Sequence, residues 1–450
     1  MRLAINQIAE AVGGHAGLFG DGNRCIRSVS TDSRSIQSGA LFVPIVGDNF
    51  DGHDFIPQAI EKGAGVVLAE HGRMPMDFPH IIVECTRKAL LRLAAYYLKL
   101  IGPKVIGITG SAGKTTLKDM IASILTKKFR TKKTIGNFNN DIGMPLSVFE
   151  LRDLDEVIVL EMGMNHAGEI APLSLAAEPD IVVITNIGDA HIENFENREG
   201  ILHAKLEIIE GLKKTGCAFF NGDDPLLTGS IAQKKTAGLS VFYPNSANIV
   251  CAKSQGLMGT ECHFNWQNTD VHVNVPLPGS HIVTNALLTT AVCLGLGCTP
   301  EDIAAGFKDF EPSAGRLNIT NTGGMTIIND IYNSSPDALK GSLRILAEQS
   351  GRKVAILGDM LELGHMAVVR HKEAGEFVAE LGIDVLITSG DLAKYIHESY
   401  AAASEKGIAL HFDTKGDFIA KKDDVLIEGD TVLVKASRGA KFEEIMVSLI

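Results

Sequence analysis

The stretch GITGSAGKTT, Gly107 to Thr116, combines residue types suited to holding an anion. Glycine lets backbone N–H groups come close to a phosphate, and a helix N-terminus just behind adds partial positive charge. Lys114 is placed to neutralise terminal phosphates, and Thr115 offers a hydroxyl to Mg²⁺. The longer spacing G-x-x-x-x-G-K-[ST] is not met, because Ile108 stands where its first glycine belongs; the shorter G-x-x-G-K-T from Gly110 remains. An unliganded strand-to-helix turn would give no reason for Gly-Lys-Thr-Thr. What is done with the anion stays open at this point, since such loops serve kinases, switches, motors and ligases.

Two further side chains suit a divalent metal. Glu161 closes the apolar run EVIVLE, and His191 follows DIVVITNIGDA. A carboxylate ligates directly and an imidazole through its neutral nitrogen. Either alone reads as a cap or a surface group; a shared position at strand ends, on the loop's own sheet edge, makes them metal candidates. Lys205, in ILHAKLEII, reads from the residues alone as a solvated helix lysine.

These positions need a scaffold, and the apolar pattern supplies one. KVIGITG predicts a strand, and Leu117, Met120, Ile121, Ile124 and Leu125 recur at helical spacing behind the loop. EVIVLEMG, DIVVITNIG and GCAFFNGDD predict further buried parallel strands, whose C-terminal ends should carry the functional residues. After FEPSAGRLN a second alternation begins, with strands at MTIINDIY, KVAILGD, IDVLITSG and TVLVKAS and a helix over PDALKGSLRILAEQ. Upstream, the short apolar runs ALFVPIVG, GAGVVLAE and HIIVE precede an amphipathic stretch, KALLRLAAYYLKLIG, that Pro103 terminates. The expectation is an α/β chain of three domains. A small α/β domain spans 1–100, a P-loop domain with a parallel sheet 101–312, and a Rossmann-like domain 313–450.

Composition narrows the function classes. In 450 residues, 42 basic against 54 acidic side chains give 42 − 54 = −12, without a basic block, which argues against a nucleic-acid partner. A negative protein that binds phosphates must gather its cations locally. No apolar run reaches the roughly 18 residues that cross a bilayer, and MRLAINQIAEAVGG lacks the features of a signal peptide, so a cytoplasmic protein is expected. The seven cysteines form no CxxC pair and read as reduced structural thiols.

Taken together, GITGSAGKTTLKDM, TIGNFNNDIGMPL, VLEMGMNHAGEI, PDIVVITNIGDAHIENF and HAKLEI resemble, in order and approximate spacing, the central domain of the Mur ligase family. These are ATP-dependent amide-bond formers of peptidoglycan precursor synthesis. STDSRSIQSGALFVPIVGDNFDGHDFIPQAIEKGA is similar to the family's UDP-recognising domain. PSAGRL, INDIYNSSPDAL, LGDMLELG and GDTVLVKASR resemble the domain that closes over ATP and brings the amine. Within the family, GNFNNDIG, YNSSPDAL and GDMLELG are nearest to the member joining D-Ala-D-Ala to a UDP-MurNAc-tripeptide; the DYAHTPD-like and DNPR-like segments of the diaminopimelate-adding relative do not occur.

The resemblance implies ATP and Mg²⁺ as cofactors. ATP falls to Gly110, Ser111, Ala112, Gly113, Lys114, Thr115 and Thr116, with Asn285 at the adenine, Arg316 near ribose and phosphates and Asp330 near the ribose. Metal falls to Thr115, Glu161 and His191, and to Lys205 if CO₂ carbamylates it; Lys114, Glu161, His191, Lys205 and Arg316 form the implied catalytic set. Ser30, Asp32, Ser33 and Arg34 fall in the UDP motif. Asn137, Asn139, Asn140, Tyr332, Asn333, Lys435, Ser437 and Arg438 are implied to face substrates, and the family suggests a monomer. Three departures stand out: Ile282 in place of an asparagine, Ser335 in place of the second asparagine of a YNAN-like motif, and Ala436 in place of the glycine of KGSR. The alternatives are a sister ligase adding one amino acid to the dipeptide precursor, and a nucleotide-binding regulator without a product.

Overall fold

The computed structural model describes residues 1–17, 22–47, 49–74 and 77–450. At its centre is a six-stranded, wholly parallel sheet. Its strand order is Ser240–Phe242, Cys217–Phe220, Ile181–Ile184, Lys104–Thr109, Val157–Glu161 and Thr131–Lys133. The loop strand Lys104–Thr109 thus lies between Val157–Glu161 and Ile181–Ile184. Pairing of Glu161 with Ile108 and of Ile184 with Thr109 brings all three C-terminal ends to one edge. Successive strands depart to opposite sides of the loop strand there, and such a switch point opens a crevice for a ligand.

Helix Lys114–Leu125 leaves that edge and buries Leu117, Met120, Ile121, Ile124 and Leu125, the residues its spacing singles out. It packs on helices Ser280–Gly295 and Pro300–Lys308. The second begins with a capping box between Thr299 and Asp302, and it approaches the loop's helix closely at Gly306, where an added Cβ would lie 2.4 Å from Ile124 Cα. Gly306→Ala is expected to lower unfolding free energy by about 1–3 kcal/mol through overpacking, measured by urea denaturation.

A three-stranded antiparallel sheet, Ile249–Ser254, Thr260–Trp266 and Thr269–Val275, is inserted before helix Ser280–Gly295. The N-terminal sheet runs in the order His15–Gly17, His80–Val83, Val66–Glu70, Leu41–Phe42 and Val29–Ser30; its first pair is antiparallel. Helix Thr86–Ile101 then leads to the central sheet and stops at Gly102, in the left-handed region at φ 70°, just before Pro103. The C-terminal sheet is Asn318–Thr322, Met325–Asn329, Thr431–Lys435, Lys353–Gly358, Val385–Ser389 and Ile408–Phe412, parallel except for its first pair. Each expected strand of the central and C-terminal α/β units is present. Among the described residues no helix is long and apolar enough to cross a membrane.

Candidate active site

The phosphate loop is shaped by two glycines in positive-φ backbone, Gly110 at 148° and Gly113 at 78°. Neither position has room for a side chain: a Cβ on Gly110 would lie 1.8 Å from Thr185 Oγ1, and one on Gly113 would lie 2.7 Å from Asn285 Nδ2. The strand ends brace the loop. Thr185 Oγ1 donates to Ala112 O at 2.6 Å, Ala112 N–H donates to Asn186 Oδ1 at 2.9 Å, and Ser111 exchanges hydrogen bonds with Gly188.

Lys114 folds back over the loop and donates to Gly110 O at 2.6 Å. Burial pulls its pKa below a lysine's ordinary value; Glu161 opposes that pull and the charge of Arg316 reinforces it. Thr115 Oγ1 donates to Glu161 Oε2 at 2.7 Å, and Arg316 Nη2 donates to Thr115 Oγ1 at 2.9 Å. The second oxygen of Glu161 accepts from Asn139 Nδ2 at 2.9 Å. Glu161 is only 2% exposed, and a carboxylate so buried requires such partners.

These groups border a cleft of about 370 Å³ between the central and C-terminal sheets. The loop, Asn137, Asn139, Glu161, His191 and Asn285 line one side; Arg316, Asp330, Tyr332, Asn333, Ser335 and Lys435 line the other. Arg316 lies over the Tyr332 ring, 3.9 Å from its centre, with Arg438 on the same ring at 5.3 Å. Its Nε is buried and has no partner. A guanidinium pinned by stacking yet holding an unused donor is placed for an anion.

Lys435 is 2% exposed and reaches Asp330 Oδ2 at 2.5 Å and Asn333 O at 3.0 Å. Ser342 also donates to Asp330, at 2.6 Å. Ser437 Oγ donates to Ser334 O and accepts from Leu361 N–H, so it shapes the LGDMLELG turn. His191, itself in the left-handed region at φ 62°, sits with Nδ1 2.7 Å from Glu362 Oε2 in that turn. Glu362 is held below the ordinary carboxylate range, chiefly by this histidine. Asp189 beside it meets Arg370 at 2.8 Å and Arg198 at 2.5 Å. Together with the Arg316–Thr115 bond, the Glu362–His191 and Arg370–Asp189 pairs hold the C-terminal sheet against the loop.

Thr115 and Glu161 therefore meet as expected, whereas His191 engages Glu362. Among the described residues no three His, Cys, Asp or Glu side chains converge on one point. The Thr115 hydroxyl and the Glu161 carboxylate still fit a hard divalent ion, which takes few protein oxygens and fills its shell with phosphate and water. Lys205 corrects its residue-level reading: it is 1% exposed, not solvated, and burial drives its pKa well below the ordinary value, with the charge of Lys114 adding to the effect.

In the N-terminal domain Ser30 lines a second cavity, of about 640 Å³, shared with Arg2, Arg27, Ile135, Phe138 and Arg152. Asp32 and Arg34 pair with each other at 2.8 Å, and hydrogen bonds from Arg34 bring the Asp32 carboxyl down to about 2. Ser33 is buried and donates to Gln58. Asn140 caps the following turn by accepting from Gly143 N–H at 2.8 Å. Sequence reasoning missed Lys118, which is 1% exposed and lies 3.5 Å from Asp119 and 3.9 Å from Glu161. The signal was a lysine one turn past Lys114, inside the run of buried residues.

A phosphate loop at a parallel sheet's switch point, with a third sheet folded over it, defines a P-loop nucleotide-binding protein built of three α/β units. The chain matches the Mur ligase family's catalytic-domain model over residues 25–97, the Mur ligase middle domain over 108–293 and the Mur ligase glutamate ligase domain over 315–438. It is 40% identical to the UDP-N-acetylmuramoyl-tripeptide–D-alanyl-D-alanine ligase of Bacillus subtilis, across 100% of this chain and 99% of that protein. Solved structures similar to it include MurF from Acinetobacter baumannii, at 29% identity and TM-score 0.92 over 100% of this chain and 99% of that one. A MurF ligase of Thermotoga maritima in complex with ADP is 30% identical, with TM-score 0.83, over 94% and 97% of the two chains. The chain belongs to the Mur ligase family.

Proposed function

We propose that this protein joins D-alanyl-D-alanine to a UDP-N-acetylmuramoyl-tripeptide, with ATP cleaved to ADP and phosphate, in peptidoglycan precursor synthesis. The observation that carries the reading is the cleft in which Lys114, Thr115, Glu161 and Arg316 meet at one sheet edge. Similarity over the whole chain to a UDP-N-acetylmuramoyl-tripeptide–D-alanyl-D-alanine ligase favours it over the single-amino-acid relative and over a regulator without a product.

A carboxylate resists amines because its delocalised charge shields the carbonyl carbon. Its terminal oxygen attacks the γ-phosphorus of ATP, the bond to the β,γ-bridging oxygen breaks, and ADP leaves an acyl phosphate. The dipeptide amine then attacks the carbonyl carbon, phosphate departs with the C–O bond electrons, and the amine loses a proton. The first step must bring two anions together. Lys114 and Arg316 screen that repulsion from opposite walls of the cleft, and positioning of this kind carries most phosphoryl transfer. Thr115 and Glu161 would hold Mg²⁺, which when bound would supply further neutralisation of phosphate charge. The Arg316, Glu362 and Arg370 contacts keep the C-terminal domain over the cleft, where exclusion of water protects the acyl phosphate. Asn285, against the loop at Gly113, is on the adenine side, and the UDP group takes the cavity beside Ser30.

Burial, with the charge of Lys114, favours the neutral form of Lys205, which is the form that adds CO₂ to give a carbamate and a proton. The modified side chain would carry an oxygen anion within reach of the charge of Lys114. Enzyme stripped of CO₂ is expected to lose about tenfold or more in rate and to regain it with bicarbonate, while Lys205→Ala should not respond. The functional assignment is tested by mass spectrometry after mixing protein, ATP, Mg²⁺, the UDP-tripeptide and D-alanyl-D-alanine. A UDP-pentapeptide, one ADP per product, supports it; ADP release without the dipeptide's incorporation overturns it.

A further inference from the structure

The segment Thr134–Asn140 borders both cavities. Ile135 and Phe138 line the cavity beside Ser30, whereas Asn137 and Asn139 line the phosphate-loop cleft. It is the wall that an elongated molecule would follow if its nucleotide lay in the first cavity and its carboxylate reached the second. Little regular structure fixes this wall: strand Thr131–Lys133 ends before it and helix Gly143–Val148 begins after it. Lys118 braces it from behind. The Lys118 ammonium donates to Thr134 O at 3.2 Å and to Gly136 O at 3.2 Å, bridging the two carbonyls at the start of the wall. It comes from helix Lys114–Leu125, one turn after Lys114, so the wall is fixed to the same rigid body as the phosphate loop.

Its charge is balanced on the spot. Asp119 and Glu161 lie 3.5 and 3.9 Å away, and Asp119 is held in turn by Lys133 at 2.8 Å and by Ser313 at 2.6 Å. A buried ammonium is costly unless paired and hydrogen-bonded, and this one is both. Mere space-filling would be met by a methionine at no such cost. Lys118 does not itself line the cleft; it reaches the lining through the wall's two carbonyls and through Glu161.

We infer that Lys118 is a positioning residue for the acid-bearing substrate: it fixes the wall between the two cavities relative to the phosphate loop, and so sets where the terminal carboxylate arrives. The inference rests on the proposed reaction for the substrate's identity, but not for the bracing itself.

Two variants of the full chain test it, Lys118→Met and Lys118→Gln, the second keeping a donor for one carbonyl should the first not fold. Peptide-level hydrogen exchange is read on the ligand-free protein over 134–143, with the C-terminal domain's helix 367–380 as an internal reference. Steady-state KM is read for ATP and for the UDP-tripeptide. Exchange over 134–143 should rise about tenfold in Lys118→Met and less in Lys118→Gln, with 367–380 unchanged. KM for the UDP-tripeptide should rise tenfold or more while KM for ATP stays within about threefold. Unchanged exchange over 134–143 overturns the bracing role; equal loss for both substrates overturns the positioning role and leaves an ordinary structural lysine. If the wild-type protein does not turn over the UDP-tripeptide, the functional reading fails, and the exchange result still decides whether Lys118 holds the wall.

Discussion

Lys114→Met should lower the rate of ADP formation by about 10³-fold while leaving the folded state intact. The side chain lies over the loop, and its ammonium is satisfied by Gly110 O and Ser111 O at 2.6 and 3.4 Å. These carbonyl contacts are ones the bound triphosphate would compete for, so the cation is held ready at little reorganisation cost. Methionine keeps the length and the apolar stem but removes the charge that lets an anionic nucleophile approach. Most of the loss should appear in kcat, because charge accumulates in transfer more than in binding. Single-turnover ADP release, with thermal unfolding to verify the fold, measures it. A fall of less than about threefold would mean that the loop does not neutralise the transferring phosphate.

Arg316→Ala should cost about 10²-fold or more, and Arg316→Lys should recover only a small part of it. The arginine belongs to the C-terminal side of the cleft yet donates to Thr115 in the helix behind the loop, 2.9 Å away. Its Nε donor is buried and unpartnered, while the ring of Tyr332 holds the guanidinium plane. A buried donor of this kind favours a ligand oxygen that completes it. Lysine offers a point charge without the fork and cannot stack in the same way. The variants should also loosen domain closure, read as an increased radius of gyration in small-angle scattering with ADP bound. An Arg316→Lys protein with near-normal turnover would show that charge alone suffices.

Much of this was legible from residue spacing because buried parallel strands announce themselves as short apolar runs. EVIVLE and DIVVITNIG led directly to Val157–Glu161 and Ile181–Ile184, and their ends to the loop's edge. The edge strands Thr131–Lys133 and Ser240–Phe242 are short and half-exposed, so their sequences carry too little apolar signal. The three-stranded insert was also missed, although Val271, Val273 and Val275 alternate with Asp270, His272 and Asn274 in the period of a half-buried strand. In the site, Lys114, Thr115, Glu161 and Arg316 came together as their motifs suggested. The engagement of His191 by Glu362 was not legible, because it joins residues far apart in sequence through a turn whose geometry depends on domain closure. Burial of Lys205 was hidden for a related reason: helix Arg198–Leu206 presents its last turn to the core, and a lysine there reads as solvent-facing unless that packing is known.

In the proposed reaction the substrate's own carboxylate accepts the γ-phosphoryl group before the amine arrives. Heavy-oxygen labelling of both terminal carboxylate oxygens of the UDP-tripeptide tests it most directly, with the products analysed by mass spectrometry. One labelled oxygen should appear in inorganic phosphate and one in the new amide for each turnover. Unlabelled phosphate, or label transferred to a nucleotide, would contradict the account.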